Sequence, residues 1–214
     1  MATRLYLRDA APTNDPGETE RSVNLPDGAD TFQDYGIAVK SLSETIGTSE
    51  VDVSGSSDAT TDEQAEFFTS FSSEALITNI TAQTWTIAVD VGGGNTAANS
   101  FMIPVVYVFR EPSTVVGFVI DAHTAIGAVW VAFNEGRVAT FSGAAVTIVA
   151  DDYLVLEFWR HTVGQVMSMA YTQTLAYDGT VDVTEGNTTS AASYLETPQD
   201  GLFVAVTRRI FNIS

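Results

Sequence analysis

The chain has 214 residues, no Cys, a single Lys and a formal net charge of −18. Without thiolates it builds no disulfide, zinc ribbon or iron–sulfur centre. The excess of 27 acidic over 9 basic side chains argues against binding a phosphate backbone, and so against nucleic-acid partners. A hydrophobic fraction of 45% suits one sizeable globular domain, and no apolar run reaches the roughly 20 residues of a membrane span.

In chain order, residues 3–8 alternate, with Leu5 and Leu7 opposite Arg4, Tyr6 and Arg8. That period of two predicts a short amphipathic strand. The opening lacks the apolar core of a signal peptide, so synthesis in the cytoplasm is expected. Between Asp9 and Glu66 stand 14 acidic residues against Arg21 and Lys40, and Asp, Ser, Thr and Gly dominate. Phe32, Tyr35, Ile37, Val39 and Leu42 allow brief docking, and Asp30 to Ser43 a turn of helix. The stretch reads as an extended acidic arm, ordered by a partner or serving solubility.

From residue 64 the texture becomes strand-like. Strands are predicted near 65–71, 84–91, 101–110, 114–120, 128–133, 144–149, 152–161, 165–176 and 202–207, with a last one at 209–213. In 84–91, Trp85, Ile87, Val89 and Val91 share one face and Thr84, Thr86 and Asp90 the other. In 153–160 both faces are apolar, which predicts a strand lying under a neighbouring chain. Pro104 inside its run predicts an edge or a bulge. Turns fall at Gly92-Gly93-Gly94-Asn95, Asn134-Glu135-Gly136 and Asp178-Gly179. Regular spacing of short strands with such turns predicts an antiparallel sandwich or barrel.

Little of this carries chemistry. The Gly92–Gly94 run lacks the Lys-Ser/Thr of a nucleotide cradle, and no helical pattern follows it. His123 and His161 sit in no ligand pattern, and no Ser lies in a nucleophile elbow. Asp151-Asp152 and the stretch from Asp178 to Glu185 fail the twelve-residue calcium loop and read as turn carboxylates. Trp85, Trp130 and Trp159 lie inside strand runs and read as core. Neither a cofactor nor a metal is expected.

One resemblance is specific to quoted residues. Thr3-Arg4-Leu5-Tyr6-Leu7-Arg8-Asp9-Ala10-Ala11-Pro12-Thr13 resembles the opening of a family of uncharacterised tailed-bacteriophage virion proteins, which begin with an Arg-Leu-Tyr-Leu-Arg strand and a small-residue and Pro segment. Phe71-Ser72-Ser73-Glu74-Ala75-Leu76 and Ile80-Thr81-Ala82-Gln83-Thr84-Trp85-Thr86 follow in the family's order. A turn at Asn95-Thr96-Ala97-Ala98-Asn99 then precedes a strand ending in Tyr107-Val108-Phe109-Arg110. The late Asp151-Asp152-Tyr153-Leu154-Val155-Leu156-Glu157 is similar to its Gly-Asp-Arg-Ile-Val-Val-Glu strand, with Asp151 in place of Gly and Tyr153 in place of Arg. The acidic arm departs furthest. The family supplies no catalytic residues.

Together these readings predict an all-β, antiparallel, jelly-roll-like β-sandwich. Residues 1–8 form an N-terminal strand, 9–63 the acidic extended arm and 64–214 the sandwich. The resemblance implies a non-enzymatic structural protein of the virion, foremost a capsid decoration (cement) protein. The alternative is a carbohydrate- or receptor-binding module of a phage tail, and a hydrolase with a spatially assembled site comes third. The expected partners are the major capsid protein or other virion proteins, with no nucleic acid and no membrane. A homo-oligomer, most simply a trimer, is expected. The candidate partner-binding residues are Arg4, Tyr6, Arg8, Trp159, Arg208, Arg209 and Phe211. Arg and Tyr are enriched at interface hot spots, and Arg208 to Ile213 put apolar groups beside charge at the end of the chain.

Overall fold

The computed structural model describes residues 2–16, 39–57, 65–93, 100–121, 135–162, 171–186 and 189–203. These form thirteen strands and no helix. They are β1 (Thr3–Arg8), β2 (Lys40–Ser43), β3 (Val51–Ser57), β4 (Ala65–Ala75), β5 (Gln83–Gly93), β6 (Ser100–Arg110) and β7 (Thr114–Asp121). Then come β8 (Glu135–Gly143), β9 (Tyr153–Thr162), β10 (Tyr171–Tyr177), β11 (Val181–Asp182), β12 (Ala191–Ala192) and β13 (Tyr194–Thr197). The all-β, mostly antiparallel class predicted by the alternating runs is the class observed.

Eleven strands form one sheet, ordered β3-β10-β5-β13-β1-β2-β4-β9-β6-β7, with β8 on β5. Strand β5 is the hub. One edge carries β8 from Gln83 to Val91, and the other carries β13 opposite Thr86 to Ala88 and β10 opposite Asp90 to Gly93. Only β2 and β4 run parallel within this sheet. The short parallel pair β11–β12 lies apart from it.

The sheet closes on itself. Strand β8 and strand β7 are eight neighbours apart in the order, which in a flat sheet means roughly 38 Å at about 4.8 Å per strand. Yet Ala144, the residue after β8, donates its N–H to the Val119 carbonyl of β7 over 2.8 Å. Side chains from β3 (Val51, Val53) and β7 (Val115, Phe118) accordingly border one shared apolar cluster. Such closure is consistent with a sandwich, in which inward faces meet across a common core.

Sequence pattern dictates which strands lie deepest. Every residue from Met102 to Phe109 in β6 and from Tyr153 to Trp159 in β9 is buried. The doubly apolar strand is therefore covered on both faces by its own chain. A neighbouring molecule is not needed to explain it, and that support for an oligomer falls away. Pro104 lies on β6, an interior strand between β9 and β7, opposite Phe158, and among the described residues β7 pairs with β6 from Val105 onward.

Three other expectations change. Residues 40–43 and 51–57, read as part of an extended arm, are strands of the main sheet. The apolar run at 144–149 makes only a single bridge, Ile80 to Val146, and Val149 is half exposed. Glu135 and Gly136 begin β8, and Gly92 and Gly93 end β5 paired with β10, where turns were expected. The strands expected at 128–133 and 209–213, and the segment from residue 17 to 38, lie outside the described residues.

Phe71 is fully buried on β4, edge-on to Phe158 of β9 at 6.2 Å and to Tyr177 of β10 at 5.2 Å between ring centroids. Replacing it by Ala removes two aromatic contacts and leaves a cavity. Urea denaturation of Phe71→Ala is expected to show a loss of about 3–5 kcal/mol.

Candidate functional site

Strand β1 presents what the sequence promised: Thr3, Leu5 and Leu7 buried, Arg4, Tyr6 and Arg8 on the outer face, half buried. Its setting is that of an interior strand of the sheet. Strand β13 occupies one side, with Arg4 opposite Glu196 and Tyr6 opposite Tyr194, and β2 the other, with Arg8 opposite Ser41. Removing residues 1–8 would take out a middle strand, not trim an edge.

The outer face of β1 is held by its own chain. Arg4 donates from Nε (2.8 Å) and Nη2 (2.5 Å) to Glu196 Oε2, and from Nη1 to Asp182. Its guanidinium lies 4.1 Å from the centre of the Tyr194 ring, a cation–π contact. The Tyr6 hydroxyl donates to Asp182 Oδ1 at 3.0 Å, and the Tyr6 and Tyr194 rings meet edge-on. Burial, and then the Asp182 charge, push the Tyr6 hydroxyl above its ordinary value against the pull of Arg4.

Arg8 closes the other end of the strand. It pairs with Asp178 and donates to the carbonyls of Thr45 (2.8 Å) and Ile46 (3.1 Å). Asp178 has a left-handed backbone (φ 62°), which Asp tolerates better than most residues. Two glycines make the approach possible. A Cβ at Gly47 would fall 1.9 Å from the Asp178 carbonyl oxygen, and one at Gly179 2.1 Å from that of Ser190. Beside this corner Lys40 pairs with Asp9 at 2.7 Å, and the Tyr177 hydroxyl donates to Asp9 over 3.3 Å. The Lys40 hydrogen bond holds the Asp9 carboxyl below its usual range.

A further ion pair lies at the start of β9. Asp152 is fully buried and accepts from Arg110 Nε at 2.7 Å and Nη2 at 2.9 Å, and from the Val149 N–H at 2.8 Å. Burial works to raise this carboxyl, but Arg110 outweighs it and keeps the group below the ordinary range.

Of the remaining sequence candidates, Trp159 is not a surface residue. It is fully buried against Phe67, with its indole N–H donated to Glu157 over 2.9 Å, and no partner reaches it in the folded chain. Arg208, Arg209 and Phe211 lie outside the described residues. The carboxylates Asp178, Asp182 and Glu196 escaped notice as partners of β1. A usable signal was present: in so acidic a chain every Arg has carboxylates to choose from, and Arg4 and Arg8 alternate with buried Leu. Among the described residues no group of three Asp, Glu or His stands ready to hold a metal ion. The apolar surface worth noting is a shallow groove lined by Ala75, Ile77, Asn79, Ile148, Val149 and Asp151, where Ile77 and Val149 stand half exposed.

No protein-family model and no curated protein matches the chain. Among solved structures it is similar to one described as "CBM4 structure and function", at 16% identity and a TM-score of 0.26, over 62% of this chain and 92% of that one. A CocE/NonD family hydrolase from Staphylococcus aureus is similar at 9% identity and a TM-score of 0.26, over 92% of this chain and 34% of that one. A chain of infectious bursal disease virus Gx strain is similar at 9% identity and a TM-score of 0.25, over 92% of this chain and 58% of that one. At these scores none of the three bears on function.

Two outcomes are expected. A double-mutant cycle between Arg4→Met and Glu196→Gln gives a coupling of about 1 kcal/mol, falling as salt rises. Asp152→Asn costs about 1–3 kcal/mol at neutral pH in thermal or urea unfolding. A carboxyl lowered in the fold stabilises above its ordinary value and loses that contribution as pH falls through the folded value. The Asp152→Asn deficit therefore shrinks below about pH 4.

Proposed function

We propose that this chain is a structural protein of a tailed-bacteriophage virion, and within the virion a decoration protein that binds and stabilises the head shell. The observation that carries the reading is where the polar side chains go. Arg4, Tyr6, Arg8, Lys40 and Arg110 are committed to carboxylates or carbonyls of the same chain, far apart in sequence. Polar groups spent on fixing the shape favour a rigid building block over a site that must reorganise around a substrate. The resemblance of residues 3–13 and 151–157 to virion proteins supplies the setting.

A net charge of −18 favours a neutral or basic partner surface. The half-exposed Ile77 and Val149 provide an apolar anchor beside it. The expected partner is the major capsid protein. With the β9 support withdrawn, the oligomer rests on the apolar and basic residues from Arg208 to Ile213, and the trimer on analogy with decoration proteins; light scattering on purified protein decides both.

The test uses heads of the phage that encodes the chain, assembled without it. Added protein is expected to co-sediment with the heads to saturation and to raise their rupture temperature. Failure to bind heads, with antibody label on tails and retention on host polysaccharide, would reject decoration in favour of the tail module.

A further inference from the structure

The outer face of β5 holds a group that the ion pairs above leave untouched. Asp90 is 1% exposed, and its Oδ1 has no hydrogen-bond partner among the described residues. Asp90 lies opposite Gly136 of β8 and Ala176 of β10, and Ala176 lies opposite Asp52 of β3. Directly opposed residues share a face, so Asp90 and Asp52 flank the small Ala176 side chain in one row.

Residues 178–186 and 189–193 cover this face. Val183 and Ala191 pack with Ala88, Ala176 and Tyr194 in a small apolar cluster. The Ser193 hydroxyl accepts from the Asp90 N–H at 3.2 Å and donates to the Ala176 carbonyl at 2.6 Å. Glu50 reaches the same cover, accepting from the Ala191 N–H.

The charges near Asp90 are of one sign. Glu50 is the residue before β3, Asp52 lies on β3, and Glu135 at the start of β8 acts from the other face, opposite Val91. Burial first, and then these three, push the Asp90 carboxyl up to about 6. Strand β10 offers only neutral side chains along this face. In the cover, Asp178 is paired with Arg8, Asp182 with Arg4 and Tyr6, and Glu185 with Arg137 and the Val138 N–H. On β13, Glu196 is held by Arg4. Arg137, next to Gly136, is turned to Glu135 at 2.8 Å. No cation is left to neutralise Asp90 among the described residues around it.

The geometry points to Asp90 as a proton-operated latch for residues 178–186 and 189–193: protonated, it lets the cover close over β5 and β10; ionised, it loosens the cover and with it the hold of Asp182 on Arg4 and Tyr6. The sign follows from linkage. The closed state holds the proton more tightly than the open one, so opening releases a proton and becomes easier as pH rises. From an ordinary value near 4 to the closed-state value near 6, opening gains ground, and above that range it levels off.

Amide hydrogen exchange of the full chain at about pH 5 and about pH 7.5, corrected for intrinsic rates, reads the opening directly. Protection across residues 178–186 and 189–193 is expected to fall about tenfold at the higher pH in the wild type and to stay level in Asp90→Asn. Equal protection at both pH values in the wild type overturns the latch, as does an unchanged pH dependence in the variant. Should Asp90→Asn fold poorly, the Asp90 carboxyl carbon is titrated by NMR in the wild type, and a midpoint near about 4 overturns the proposal. Restoration of wild-type protection by calcium chloride at the higher pH also overturns it, because a cation and not a proton would then fill the pocket.

Discussion

A strand that is apolar on both faces forces the sheet that contains it to become two-layered. Strands β6 and β9 lie side by side and are buried along both faces. At about 25 cal/mol per Å² of apolar surface, leaving either face of such a pair in water would be prohibitive. The single sheet therefore curls until the chain after β8 meets β7, at the Ala144 to Val119 hydrogen bond. Everything else is arranged around that closure. Strand β5 is the hub, bonded to β8, β10 and β13, and β1 threads between β2 and β13 to complete the wall.

Electrostatics then does what the core leaves undone. A chain with three times as many acids as bases risks self-repulsion, and the described cations sit where they tie distant segments together. Arg4 joins β1 to β11 and β13, Arg8 joins it to the corner after β10, and Arg110 joins the end of β6 to the start of β9. Asp90 is the exception: a carboxylate in an apolar setting beside three others. Its face was the one that the sequence marked as wet, because Thr84 and Thr86 share it, yet Ala88 and Asp90 lie under the cover.

Legibility in the sequence tracked burial. The runs now seen as β4, β5, β6, β7 and β9 carry enough Val, Ile, Phe and Trp for period two to show, and their positions were readable to within a few residues. Strands β3 and β8 were not readable. Among the described residues both pair along one side only, β3 with β10 and β8 with β5, where polar residues and glycine are tolerated. Val51-Asp52-Val53-Ser54 and Glu135-Gly136-Arg137 thus read as arm and turn. Strands β11 to β13 are too short for any period. In the candidate site, the alternation of Arg4, Tyr6 and Arg8 was legible, whereas their partners come from residues 178–196 and depend on register that no local pattern encodes. The segment 144–149 misled for the opposite reason. It is apolar, but the cover it needs is a single bridge to Ile80.

The position of β1 has a consequence for how the protein is made. Thr3 pairs with Thr197 and Tyr6 with Tyr194, so β1 is synthesised long before the strand it pairs with. Until β13 emerges, Leu5 and Leu7 have no wall to join on that side, and the hub β5 lacks a neighbour. Long-range pairings of this kind close large loops before any contact rewards them, which slows folding. The acidic residues between β1 and β4 repel one another and so oppose premature collapse of the chain while β13 is still absent.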